Sequence, residues 1–213
     1  MDVEFPIRSV VPTLDGPVLA VLARTTRQLT GREVHRLART GSASGVRLVL
    51  ARLAREGVVR AEERAAAVFY EANREHLAWP AVEILANLRR TLLDRLREEV
   101  RSWHFAPVHA SLFGSAARAD GDAGADIDIL LVRPTGVDED EPTWAEQVDH
   151  LRNKVESWTG NRCQPFQLDL DRMAEYVRAG DPLADEWRRD AIRLGGDDLR
   201  TVLRQLPNTG DDE

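Results

Sequence analysis

Apolar residues recur at three- and four-residue steps through the first hundred positions of this chain. Val18, Leu19, Leu22 and Ala23 share one face of a helix expected over 14–26, with Asp15 ahead of Gly16-Pro17 as its start. Thr30 is placed to cap a second short helix carrying Val34, Leu37 and Ala38. A turn over 40–45, rich in Ser, Thr and Gly, leads into a third helix that buries Val46, Val49, Leu50 and Leu53. Glu56-Gly57 ends it, glycine being common just past a helix terminus. Residues 58–71 divide around Glu62-Glu63-Arg64 into two strand-like runs, which predicts a hairpin with a polar tip. Val82, Leu85, Leu88, Leu92, Leu96 and Val100 then predict one long amphipathic connector helix over 80–103, with Pro80 in its first turn. Residues 1–12, with two prolines and no period, are expected to form an arm.

The second half changes character. Two apolar runs, 108–113 and 127–132, predict strands flanking a glycine turn and a short helix. An acidic loop over 138–141 precedes a helix from Pro142 that buries Trp144, Val148, Leu151 and Val155. Residues 162–170 predict a third strand, and 181–194 a last core helix stopped by Gly195-Gly196. Residues 207–213 are expected to be a frayed tail. The expected organisation is an α+β chain: a leading domain over 1–79, a connector helix over 80–103, a small mixed-sheet domain over 104–206, and the tail.

Composition sharpens this in three places. No apolar run approaches the ~20 residues needed to span a bilayer, and no leader pattern opens the chain, so a cytoplasmic protein with no membrane partner is expected. A single cysteine, Cys163, excludes an internal disulfide and argues against a cysteine zinc site. The net charge of −7 is uneven: residues 1–79 hold 12 arginines against nine acids, whereas the remainder holds 17 basic and 27 acidic residues. A mildly basic leading half and an acidic second half suggest different partners. The five histidines, His35, His76, His104, His109 and His150, show no ligand spacing and are expected to be structural.

The candidate chemistry lies in VHASLFGSAARADGDAGADIDILLV, residues 108–132. Side chains two apart on a strand share a face, so Asp126 and Asp128 project together. Paired carboxylates repel unless a cation lies between them, and hard Mg²⁺ (or Mn²⁺) suits them, bringing nucleotide phosphates with it. Gly114-Ser115, where strand gives way to helix, would let backbone approach a phosphate. Gly-Ser, ten residues, then Asp-x-Asp resembles the signature of the DNA polymerase beta-like nucleotidyltransferase superfamily, especially its minimal members, over about 108–196. The resemblance implies a small nucleotidyltransferase fold that transfers a nucleoside monophosphate, with ATP as the expected substrate. It implies Asp126 and Asp128 as metal-binding catalytic residues, Gly114 and Ser115 as the phosphate seat, and Arg118 as a phosphate-steadying charge. The superfamily also uses a third carboxylate from the following strand, to complete the metal site and help deprotonate the acceptor. Asp169 is the candidate for this catalytic and metal-binding role, with Gln167 and Asp171 on its side of the strand. A register placing that position early in the strand would instead put Gln164 there. Pro165 within the strand suggests a bulge, and Asp169 or Asp171 is alternatively a cap for a helix beginning near Arg172.

Three helices and then a hairpin is the order of a winged helix-turn-helix, and LVLARLAREGVVRAEERAAAVFYEANREH (48–76) resembles the recognition helix and wing of bacterial winged-helix regulators. The resemblance implies double-stranded DNA as a partner, with Ser42, Ser44 and Arg47 facing the groove, Arg60 and Arg64 on the wing, and Arg39 near a phosphate. A homodimer is expected by the same analogy. Three functions follow from the two resemblances: a Mg²⁺-dependent nucleotidyltransferase carrying a DNA-binding domain, a DNA-binding regulator whose second domain senses nucleotide or is degenerate, or an antitoxin-type enzyme adenylylating a partner toxin.

Overall fold

The computed structural model describes residues 1–65, 67–120 and 124–206 of the 213-residue chain. The expected tail over 207–213 lies outside the described residues. The fold is mixed α+β, with ten α-helices and two small sheets among the described residues. It divides into two compact units, one of Asp2 and 4–90, the other of Met1, Val3 and the chain from Thr91 onward.

In the first unit a 3-10 turn at Pro6–Ser9 precedes α1 (Asp15–Ala23), β1 (Leu29–Thr30), α2 (Gly31–Ala38) and α3 (Ala43–Arg55). Then come β2 (Val59–Arg64), β3 (Ala67–Ala72) and α4 (Trp79–Ala86). The sheet order is β1-β3-β2, antiparallel throughout. Thr30 and Glu33 form a reciprocal capping box: Glu33 N–H donates to Thr30 Oγ1 (3.3 Å) and Thr30 N–H to Glu33 Oε2 (2.8 Å). The Thr30 N–H and hydroxyl bonds to its carboxylate, and then Arg27, lower the Glu33 carboxyl to about 2. Val18, Leu22, Leu29, Val34, Val46, Leu50 and Trp79 are the centre of this core.

Two expectations fail here. The hairpin turns at Ala65, not at Glu62–Arg64; Arg64 pairs with Ala67, and Ala65 takes a left-handed φ of +50°. The polar stretch stays in the strand, exposed after Val59 and paired residue for residue with β3. The supposed connector is two helices, α4 and α5 (Leu88–Arg101), broken at Asn87. Asn87 Nδ2 donates to the Glu83 carbonyl (2.7 Å), so its amide competes with backbone donors for helix acceptors.

The second unit continues from α5 into β4 (His109–Phe113), α6 (Gly114–Arg118), β5 (Ile127–Val132), α7 (Pro142–Thr159) and β6 (Cys163–Leu168). It ends with α8 (Leu170–Ala179), α9 (Pro182–Asp190), β7 (Ile192–Gly196) and α10 (Leu199–Arg204). The sheet order is β6-β5-β4-β7; only the β5–β6 pair is parallel. One face carries Ala110, Leu112, Ile127, Ile129 and Leu131 against α5 and α7. The other carries Phe113, Leu130, Val132 and Leu168 against Met173 and Trp187. The chain's sole lysine, Lys154, reaches the buried Glu99 at 2.7 Å and neutralises it.

The expected helix over 181–194 is half strand. After Asp190 the chain pairs with β4, and the ladder skips Leu194, which is buried. Gly195 passes so close to Val100 that a Cβ would stand 2.6 Å from Val100 Cγ1. Pro165 introduces no bulge: β6 is an edge strand, where a missing N–H is tolerated, and its register with β5 is continuous.

Candidate functional site

Strand pairing sets the geometry of the acidic pair. Phe113 lies opposite Asp128, so the turn from β4 into α6 places Gly114 beside that carboxylate. Gly114 has φ +66°, and a Cβ there would stand 2.7 Å from Asp128 Oδ2. The glycine therefore supplies both a left-handed turn and room for the aspartate. On the other edge of β5, Gln164 is the register partner of Asp128. Its Nε2 donates to Asp126 Oδ2 at 3.3 Å. Gly114, Asp126, Asp128 and Gln164 thus come together at one end of the sheet.

The electrostatics there are unfavourable to a bare anion. Burial, then the neighbouring Asp126 and Glu186 carboxylates, push Asp128 above the ordinary aspartate range, while Arg118 pulls the other way. Glu186, on α9, is a contributor that the sequence reading missed; nothing in a helical pattern signals which acid will lie near the site. Arg118 is engaged, donating to Asp120 (2.9 Å) and to the nearly buried Asp190 (2.6 Å). Its charge is locked on by those carboxylates. Buried Cys163, the register partner of Ile127, is pushed up to about 12, chiefly by burial, which disfavours the thiolate.

Asp169 does not join this group. It follows β6 at the far end, five residues beyond Gln164, which is about 16 Å along a strand. Its carboxylate caps α8, accepting from Arg172 N–H at 2.8 Å, and pairs with the buried Arg133 at 3.3 Å. The expected third carboxylate is therefore an N-cap, and the early position on β6 holds an amide. Among the described residues no three His, Cys, Asp or Glu side chains gather as a metal site. Two carboxylates with an amide still fit Mg²⁺, which commonly takes only one or two protein carboxylates and fills the rest with water and phosphate.

In the first unit the DNA candidates separate into two groups. Ser44 and Arg47 are exposed on α3, in one row with Leu48 and Ala51. Leu48 is 73% exposed and was missed, although it falls outside the buried stripe of that helix. Arg47 also lines a hollow of about 610 Å³ with Arg32, Val68 and Tyr70. Ser42 is the N-cap of α3, accepting from Gly45 N–H at 3.0 Å. Arg39 ends α2 and lies 3.6 Å from Glu4. The hairpin arginines are engaged within the chain, Arg60 with Glu75 and Arg64 with Glu62 (2.5 Å) and over the Phe69 ring.

No protein-family model matches the chain, and no curated protein does. Among solved structures, human N-acetylserotonin methyltransferase in complex with SAM is similar over 44% of this chain and 31% of that one. The identity is 22% and the TM-score 0.28. The chain thus spans about a third of that protein's length, and a likeness this slight bears on neither fold nor function. Among the described residues, no helix is long and apolar enough to cross a membrane.

Proposed function

We propose that this protein is a nucleotide-responsive DNA-binding regulator, built from a winged helix-turn-helix and a nucleotidyltransferase-type domain that binds a nucleoside triphosphate, with ATP the expected one. Asp126 and Asp128 would hold Mg²⁺, with Gly114 and Ser115 beside the phosphates. The ion would neutralise phosphate charge and let nucleotide settle against the acidic pair. The first unit runs helix, strand, two helices and hairpin, leaving Ser44, Arg47 and Leu48 exposed on α3. That row suits the major groove. A second copy would give the target two-fold symmetry, and the exposed Leu77 and Ile84 are apolar surface such a copy could cover.

The observation that supports binding over transfer is Gln164. A primary amide cannot take the proton of an attacking hydroxyl, and here it instead donates to Asp126. Gln164→Asp tests this directly. With γ-labelled ATP and Mg²⁺, and water as the acceptor, the wild-type protein is expected to release no pyrophosphate above the Asp128→Asn background, whereas Gln164→Asp gains release. Robust turnover by the wild-type protein would contradict the regulatory reading.

Transfer of AMP is the second reading, favoured by the retained pair of aspartates beside Gly114. In that case the acceptor itself, or a solvent base, must manage the proton. A partner toxin is one such acceptor, and its adenylylation would be the observable product.

A further inference from the structure

Beyond the acidic pair, the second unit has a hollow of about 890 Å³ where α9, Ala191 and α10 meet. Arg188, Arg189, Arg200 and Arg204 line it, with Trp187, Leu199 and Leu203 as its apolar wall. Four arginines around one hollow stand out in a chain of net charge −7. Two are already neutralised: Arg188 pairs with Asp185 at 3.0 Å and Arg189 with Asp190 at 2.9 Å. Arg200 and Arg204 have no acidic partner among the described residues; Arg204 donates only to the Arg200 carbonyl and Thr201 Oγ1, both at 3.3 Å. Asp198 also lines the hollow, but its carboxylate accepts from the Arg200 backbone N–H (2.9 Å) as the cap of α10.

A second observation is independent of charge. Trp187 is fully buried, yet its Nε1–H has no acceptor among the described residues. A buried indole N–H ordinarily finds a partner, and leaving one unmade costs desolvation. Trp187 is also a lining residue of the hollow, so this unmade bond lies in its wall.

We infer that this hollow is a second binding site, separate from Asp126 and Asp128, for a small nucleotide-type ligand. Its phosphate would meet Arg200 and Arg204, and its flat ring would lie against the Trp187, Leu199 and Leu203 wall. Guanidinium groups suit phosphate oxygens as planar, charge-assisted donors. The volume falls within the range of pockets that enclose ligands of this size. An apolar wall beside two arginines that have no acidic partner among the described residues favours a nucleotide over bare phosphate.

Calorimetry in EDTA tests the site apart from the acidic pair, which without a cation repels phosphate. AMP is expected to bind the intact protein, with adenosine and inorganic phosphate each at least about tenfold weaker. Arg200→Gln with Arg204→Gln, both exposed positions outside the core, is expected to weaken AMP at least about tenfold. Asp128→Asn should leave it unchanged. The inference is overturned if AMP gives no binding at millimolar concentration, if the double variant binds like wild type, or if phosphate alone binds as tightly as AMP. Loss of AMP binding in Asp128→Asn would assign the signal to the acidic pair and overturn it equally. Apart from that last outcome, these results leave open whether Mg²⁺ and ATP occupy Asp126 and Asp128, so the two readings fail separately.

Discussion

Gly114 and Asp128 constrain each other, and each can be tested through the other. A left-handed φ costs a non-glycine residue about 1–2 kcal/mol, and a Cβ would also displace the Asp128 carboxylate. Gly114→Ala is therefore expected to destabilise by about 1–2 kcal/mol and to lose Mg²⁺-dependent ATP binding. Removing the carboxylate as well, in Gly114→Ala/Asp128→Ala, should recover part of the stability in denaturant melts; strictly additive effects would mean the two do not meet. Asp128 carries its own linkage. Its folded-state pKa is raised, so the protonated form suits the fold, and the stability present below the unfolded pKa is lost as pH rises through the folded one. At neutral pH without metal the ionised group is a liability. Asp128→Asn is expected to raise the melting temperature in EDTA, on the order of 2 °C given solvent screening of a half-buried group. Added Mg²⁺ should stabilise the wild type and leave the variant unmoved. A lower melting temperature for the variant in EDTA would contradict the strain assigned to the pair.

At the scale of elements, the sequence carried the strand, turn, helix and strand around Gly114 because apolar runs and a glycine mark them locally. Helix starts were legible for the same reason: Thr30, Asp181 and the Pro142 turn announce themselves. What stayed hidden depended on pairing. Ile192–Gly196 is too short to show a period, and only β4 beside it makes it a strand. Nor could local pattern fix the β5–β6 register, which decides that Gln164, and not Asp169, reaches the acidic pair. Asp169 then has an element-level role as the cap of α8. Asp169→Ala is expected to destabilise by about 1 kcal/mol, a typical capping loss, while leaving ATP affinity unchanged. A fall in metal-dependent ATP binding would return Asp169 to the site.

Across the whole molecule, the two compact units divide the labour proposed for them. The leading residues carry a modest basic excess, and the hairpin arginines are already paired within the chain. DNA binding should accordingly show a shallow salt dependence, with a log–log slope of roughly −0.9 per phosphate contacted. Arg47→Ala is expected to relax sequence preference in competition assays, whereas Arg60→Ala should change affinity little, because Glu75 already holds that charge. Equal effects of the two would mean that α3 does not read bases. If nucleotide regulates DNA binding, Mg²⁺ and ATP must shift DNA affinity, and linkage requires DNA to shift ATP affinity by the same factor, typically about fivefold or more. The regulatory reading rests on nucleotide held through a cation at Asp126 and Asp128. Calorimetric titration of ATP into the intact protein tests that most directly: binding is expected to be tighter in Mg²⁺ than in EDTA, and Asp128→Asn should abolish the difference. Identical ATP affinity for wild type in Mg²⁺, wild type in EDTA and Asp128→Asn in Mg²⁺ would contradict it.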